Sequence, residues 1–338
     1  MIPCLNPACN ASNASDAKFC MKCGTKLLIQ DRYRPLKALG AGAFGKAFLA
    51  VDMGKPSQPK CVIKQFIFTD GSSQVVQTAK ELFYQEAQQL EKLGKHDQIP
   101  QLFGYCEQEI PKQGNGKKET VLCLIQEFVD GENLLEELNK NGSFSEAKIR
   151  QILADSLPVL EFFHSHNVIH RDIKPENIMR RRIDQKLVLI DFGVARQTST
   201  TSLGKTDTTF AGTDGYAAPE QLNKKTIFSS DIYSLGVTCL VLLTGVDAMT
   251  LYDPYEGEFR WRHYLINNPV ADSLGRVLDG MTQGAVKHRY KFAQEVLQAL
   301  NPSAPKVSIS IPVTPKSFYP HPQQLRLLKH LGRISLNT

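Results

Sequence analysis

Three groups of residues in this 338-residue chain have types and spacings that could do chemistry. Cys4, Cys9, Cys20 and Cys23 place four thiols in the first turns of the chain. Gly40-Ala41-Gly42-Ala43-Phe44-Gly45 offers backbone amides with room for close approach, and Lys64 and Glu86 follow as a separated cation and anion. Asp172, Lys174, Asn177 and Asp191 bring hard oxygen donors and a second cation. Thiolates suit zinc, glycine amides and lysine suit phosphates, and carboxylate or amide oxygens suit magnesium. Alone, the glycine pattern is weak, because an ordinary turn or a dinucleotide fold would also carry it. A dinucleotide fold needs a helix next, whereas Lys46-Ala47-Phe48-Leu49-Ala50-Val51 reads as a second strand. The glycines therefore belong to a hairpin that can lie over phosphates.

The cysteines run Cys4-x4-Cys9, then ten residues, then Cys20-x2-Cys23-Gly24. Two close pairs can put four thiolates at the corners of a tetrahedron, the arrangement of structural zinc sites. Two disulfides or four unrelated thiols are the alternatives, and the paired spacing favours zinc. The segment has too few apolar residues to fold without metal. One zinc per chain is expected, with local unfolding on chelation and the rest of the chain still folded. The stretch Ala17 to Gly24 resembles the knuckle of bacterial zinc-ribbon modules, and the four-residue gap of the first pair departs from the commoner two. Cys61, Cys106, Cys123 and Cys239 lie in apolar or strand-like surroundings and read as buried thiols.

The elements that must position these groups follow from periodicity. Leu36 to Val51 and Cys61 to Phe68 read as strands around the glycine turn, and Val121 to Phe128 as another. Thr78 to Leu93 reads as a helix with Leu82, Glu86, Leu90 and Leu93 on one face, an acid set in an apolar stripe. Ser143 and Glu146 form a candidate capping box for a helix reaching about His166, with a kink expected at Pro158. Leu187 to Ile190 is a short apolar strand ending at Asp191, and Ser229 to Leu243 is a nearly continuous apolar helix around Asp231. Strands dominate the first part and helices the second, so two lobes are expected.

In order along the chain stand the glycine loop, Val62-Ile63-Lys64, Glu86, His170-Arg171-Asp172 with Asn177, Asp191-Phe192-Gly193 and Ala218-Pro219-Glu220. This set resembles the protein kinase signature over residues 31 to about 300. The resemblance implies an α+β, two-lobed protein-kinase fold with a β-rich N-lobe and a mainly helical C-lobe, preceded by a small zinc ribbon. The expected organisation is a four-cysteine module at 1–28, a kinase domain at 31–300 (N-lobe 31–128, C-lobe 129–300) and a Pro/Ser-rich linker or tail at 301–338.

The resemblance also implies the residue roles. Gly40, Gly42 and Gly45 cover the ATP phosphates, and Lys64, paired with Glu86, holds them. Asp191 and Asn177 bind Mg²⁺. Asp172 accepts or orients the substrate hydroxyl, and Lys174 steadies the transferred charge. Glu127 and Val129 offer hinge backbone groups to adenine, with Gln126 behind it and Ala47 above. Glu220 pairs with Arg289, and Asp231 holds the catalytic loop. Lys174 two residues after Asp172, and Gly212-Thr213 before Tyr216, look like the serine/threonine form. The ensemble is similar to bacterial kinases of eukaryotic type, and the zinc prefix to cyanobacterial ones. Transfer from ATP to Ser/Thr hydroxyls of proteins, in signalling and with autophosphorylation, is the implied activity. Arg171 and a hydroxyl-rich segment point to Thr208 or Thr209, then Thr206, as acceptors, with Thr213 reserved for bonding Asp172.

A pseudokinase or nucleotide-binding scaffold is the alternative, and the presence of Lys64, Asp172, Asn177 and Asp191 stands against it. With 40 Lys and Arg against 34 Asp and Glu, the net charge of +6 is modest. Arg180-Arg181-Arg182 is the one short basic run and reads as a solvated loop, so a nucleic-acid partner is not expected. The zinc module is instead expected to cap the fold or bind a protein partner. No stretch approaches the roughly 20 apolar residues of a membrane span, and no signal peptide is visible, which argues for the cytoplasm.

Overall fold

The computed structural model describes residues 1–9, 11–42, 45–66, 73–111, 118–191, 214–223 and 225–302. Strands β1 (Ile2–Pro3) and β2 (Ser12–Asn13) pair antiparallel within the cysteine module. Next come β3 (Tyr33–Gly42), β4 (Gly45–Asp52), β5 (Lys60–Phe66), helix α1 (Ser73–Leu93), β6 (Leu102–Pro111) and β7 (Lys118–Glu127). The five long strands form one antiparallel sheet in the order β3-β4-β5-β7-β6.

Alternation along the strands divides the sheet into two faces. Phe66, Leu122 and Leu124 point toward α1 and join the large core that continues into the helical lobe. Cys61, Ile63, Val121, Cys123 and Ile125 point the other way, where Leu5 and Ile29 cover them. Val121 to Ile125 is accordingly buried at every position, as a strand covered on both faces must be.

The helical lobe follows with β8 (Gly131–Asn133), α2 (Leu134–Asn141), α3 (Glu146–Ser165), β9 (Ile178–Arg181), β10 (Leu187–Leu189), α4 (Pro219–Leu222), α5 (Phe228–Thr244), α6 (Asp272–Met281) and α7 (Ala293–Leu300). Every residue of α5 is buried, its apolar majority in the core and its serines, threonines and Asp231 among the buried polar groups.

Several elements differ from the sequence expectation. Helix α1 begins at Ser73 rather than Thr78. Its buried face carries Phe83, Glu86, Ala87, Leu90 and Leu93, and the side chain of Leu82 lies outside the described residues. Ser143 does not cap α3. Ser145 does, accepting from the Lys148 amide, while Glu146 bonds Arg150 and the Ala271 amide. The helix continues through Pro158 as one element, held by its buried face. The reciprocal capping box belongs to Asn133 and Glu136, at the start of α2. The tail beyond residue 302 lies outside the described residues.

Candidate active site

The lysine on β5 is placed by register. Lys64 pairs with Ala47 on β4 and Leu124 on β7, and parity sends its side chain to the same face as Phe66, toward α1. There its Nζ lies 3.6 Å from Glu86 Oε1 and 2.5 Å from Asp191 Oδ1. Burial pushes the Glu86 carboxyl up to about 7, against the pull of Lys64. Burial works the same way on Asp191, but there the nearby lysine wins and holds the carboxyl below its ordinary value.

A second hairpin positions Asn177 and Asp191. Strands β9 and β10 pair with Ile178 opposite Leu189, so Asn177, just before β9, meets Ile190, just after β10. The Ile190 amide donates to the Asn177 carbonyl at 2.9 Å, which brings Asp191 beside the loop that carries Asp172 and Asn177. Asn177 Nδ2 donates to the Asp172 carbonyl at 2.8 Å and to Asp172 Oδ2 at 2.7 Å. That contact fixes the Asp172 carboxylate and leaves the Asn177 amide oxygen as the atom for a hard cation.

The loop bearing Asp172 is held from below. Asp231, fully buried in the first turn of α5, accepts from the amides of His170 and Arg171 at 2.9 Å each and lies 3.0 Å from His164 Nε2. Arg171 and Asp191 adopt left-handed backbone, with φ of 69° and 61°. Such conformations persist in non-glycine residues only where the surroundings over-determine them. At Arg171 the Asp231 carboxylate and the Gln221 side chain, which donates to the Arg171 carbonyl at 2.7 Å, supply that constraint.

A family profile for the protein kinase domain matches residues 33–296. The chain belongs to the protein kinase family. It is 42% identical to serine/threonine-protein kinase B of Synechocystis over 88% of this chain and 51% of that protein. Serine/threonine-protein kinase PknA of Nostoc is 39% identical over 81% of this chain and 47% of its own length. The chain thus spans about half the length of these curated relatives. Among solved structures, the Mycobacterium tuberculosis PknI kinase domain superposes with a TM-score of 0.58 at 20% identity, covering 87% of this chain and all of that one, which is a likeness of fold.

Gly42 and Gly45 face each other across the β3–β4 hairpin, and Gly40 pairs with Ala47. A side chain at Gly40 would meet open space, which leaves room for a ligand on that face. Gly45 is different: at φ 154° its Cβ would lie 1.6 Å from the Gln65 carbonyl, so glycine alone lets β4 approach β5 there. Gln126 is buried opposite Val62 on the cleft face, and Glu127 and Val129 follow at the junction of the lobes. Lys174 lies at the start of the short helix Pro175–Asn177. Phe192, Gly193, Thr206, Thr208, Thr209 and Thr213 lie outside the described residues.

Glu220 and Arg289 form the expected pair, at 2.6 Å and 3.2 Å. Arg289 also donates to the carbonyls of Ser229, Gln283 and Gly284, and its side chain is fully buried. Arg289→Leu should therefore lower stability by about 3–5 kcal/mol, because the largely buried Glu220 carboxylate loses its counter-charge, keeping the Ser230 hydroxyl, and three carbonyls lose a donor. A denaturant midpoint equal to that of the parent would count against this.

Sequence reasoning missed His164, Gln221 and Gln65. His164 reads as an ordinary helix residue, and only the packing of α3 on α5 brings it to Asp231. Gln221 follows the Ala218-Pro219-Glu220 motif directly, which was the one available signal.

The four cysteine sulfurs lie within 4.8 Å of one another, with Cys4–Cys23 at 3.5 Å and Cys9–Cys20 at 3.7 Å. A tetrahedral zinc site with Zn–S bonds of about 2.3 Å has sulfur–sulfur edges of about 3.8 Å. All four are free thiols, and Cys61, Cys106, Cys123 and Cys239 are free too. Burial raises the Cys4 and Cys9 thiols. Burial also acts on Cys20, but the backbone amides of Cys23 and Lys22 bring it down to about 6. A cluster of this kind fits a divalent cation that draws off the protons. Gly24, at φ 71°, closes the second knuckle by donating to the Cys20 carbonyl.

Proposed function

We propose that the chain is an ATP-dependent serine/threonine protein kinase, and that Cys4, Cys9, Cys20 and Cys23 hold a structural zinc ion. The observation that carries the reading is the convergence of Lys64, Glu86 and Asp191 beside the Asp172–Asn177 pair. In this reading the glycine hairpin and Lys64 hold the ATP phosphates, and the backbone groups of Glu127 and Val129 take adenine. The oxygens of Asp191 and Asn177 would hold Mg²⁺, which would supply charge neutralisation between the phosphates. A serine or threonine hydroxyl, oriented by Asp172, bonds to the γ-phosphorus as the bond to the β-phosphate oxygen breaks. ADP leaves, the hydroxyl proton passes to Asp172, and Lys174 balances the charge of the moving phosphoryl group. The side chains needed for transfer are all present, which favours an active enzyme over a scaffold.

The test is transfer of labelled γ-phosphate to a generic protein substrate, followed by identification of the phosphorylated residue type. Phosphoserine or phosphothreonine is expected; no transfer from properly folded protein would remove the activity. No described helix is long and apolar enough to cross a membrane. We place the protein in the cytoplasm, with protein substrates and no nucleic-acid partner. Elemental analysis should find about one zinc per chain, and a Cys4–Cys9 disulfide by mass spectrometry would defeat the metal assignment.

Glu86 gives the proposed activity a pH signature. Its carboxyl is pushed up to about 7, so the fold favours the neutral acid. The contribution of this group to stability is full below the ordinary glutamate value and is lost as pH rises through about 7. Activity runs the other way, since only charged Glu86 can draw Lys64 from Asp191 toward the phosphates. The kcat/KM for ATP should rise with pH through about 7, and Glu86→Gln should flatten that limb. A flat profile in the parent enzyme would contradict this role.

A further inference from the structure

The four residues between Cys4 and Cys9 exceed the two of the commoner knuckle, and the structure shows where the extra length goes. Leu5 is fully buried in the outer face of the five-stranded sheet, among Phe48, Ile63, Cys123 and Ile125. Its carbonyl accepts from Gln65 Nε2 at 2.8 Å in a buried contact. Asn6 Nδ2 donates to the Pro111 carbonyl at 2.9 Å, at the end of β6. The Pro7 carbonyl accepts from Lys46 Nζ at 3.2 Å. Asn6 also closes the knuckle itself: its amide lies 3.4 Å from Cys4 Sγ, and its carbonyl accepts from the Cys9 amide at 3.0 Å. The same loop thus wraps the metal site and grips three strands of the sheet.

The gripped positions adjoin the nucleotide-binding groups. Gln65 follows Lys64 on β5, and alternation sends the two side chains to opposite faces, Lys64 into the cleft and Gln65 into the knuckle. The Gln65 carbonyl is also the group against which Gly45 packs so closely that no side chain fits. Lys46 is the residue after Gly45. A shift of the knuckle therefore reaches both the lysine strand and the base of the glycine hairpin through one residue on either side.

We propose that the Cys4–Cys9 loop is a metal-set clamp on the ATP-binding sheet, with Gln65 as the positioning residue that transmits metal occupancy to Lys64 and the glycine hairpin. The proposal rests on the zinc and kinase readings above and goes beyond them, because it makes zinc and nucleotide binding energetically linked. With metal bound, the knuckle has one conformation and holds β5 and β4 in register with the phosphate site. Without metal, four clustered thiols no longer hold the loop, and Leu5, Asn6 and Pro7 lose their fixed places on the sheet. Linkage is reciprocal: whatever factor zinc adds to ATP affinity, ATP must add to zinc affinity.

The experiment uses the full chain, zinc-loaded and zinc-stripped, with ATP and Mg²⁺ as the probe. Calorimetry should show ATP binding weakened about tenfold on zinc removal and restored by adding zinc back. Zinc release to a chromophoric chelator should slow about tenfold when ATP and Mg²⁺ are present. Gln65→Leu should keep its zinc, raise KM for ATP about tenfold with kcat within about twofold, and lose the effect of ATP on zinc release. Equal ATP affinity with and without zinc, or zinc release indifferent to ATP in the parent, would overturn the clamp. The release measurement needs no variant, so it decides the matter even if Gln65→Leu fails to fold. Absence of zinc or of any phosphoryl transfer would instead remove the underlying readings, a result separable from bound zinc and active enzyme without linkage.

Discussion

Asp172→Asn should slow phosphoryl transfer by about 10²–10⁴-fold while nucleotide binding stays near that of the parent, because a positioned general base contributes a factor of that size. The Asp172 carboxylate is held by Asn177 Nδ2 at 2.7 Å, and the loop around it by Asp231 through two backbone amides. Asparagine at 172 preserves the size of the side chain and removes its negative charge. The amide can no longer take the hydroxyl proton, and it must turn its oxygen toward Asn177 to avoid two facing NH₂ groups. Nothing in the Lys64–Glu86–Asp191 group is touched directly, so ATP should still bind. Single-turnover rates and calorimetric nucleotide affinity, measured on the same preparation, separate the two effects. Parent-like turnover would assign the hydroxyl contact to another group, and a comparable loss of nucleotide affinity would mean that the loop had moved.

The second large effect is expected at Lys64. Lys64→Met should reduce kcat/KM for ATP by about 10²–10³-fold, the scale seen when one preorganised donor to a transition-state charge is removed. The lysine is mostly buried between Glu86 and Asp191 and balances two carboxylates. Without it Glu86, already pushed up to about 7, rises further and protonates, so α1 loses its ionic tie to β5. Methionine keeps most of the apolar stem, which makes loss of charge the main change. Nucleotide affinity should fall as well, in contrast to Asp172→Asn, since the phosphates lose a direct partner. Lys64→Arg is a useful companion: charge is kept, but the wider guanidinium cannot occupy the same point between two acids. Retained turnover in Lys64→Met would show that a different lysine reaches the phosphates.

Much of this site was legible because its chemistry is encoded in short local strings. The glycine hairpin, the lysine on an apolar strand, the loop bearing Asp172 and Asn177 and the acid ending a short strand each combine a residue type with a recognisable element. Period-two and near-period-four patterns then placed Lys64 on a strand and Glu86 on a helix. The four thiols were legible from spacing alone, since two close pairs are the local signature of a tetrahedral site.

Contacts between distant segments left no such trace. Whether Ser143 or Ser145 caps α3 depends on where the chain turns, and both serines suit the role in isolation. His164 and Asp231 meet only because α3 and α5 pack side by side. Composition sets the cysteine-rich residues 1–28 apart from the strands and helices after them. In the fold, Leu5 and Ile29 complete the outer face of the kinase sheet, and Gln65, Asn6 and Lys46 bind the two parts together. Residue type and short-range period determine which groups can bind a phosphate or a metal. Which of them share one energetic unit is decided by tertiary packing, since burial and hydrogen bonding depend on neighbours that sequence distance does not reveal.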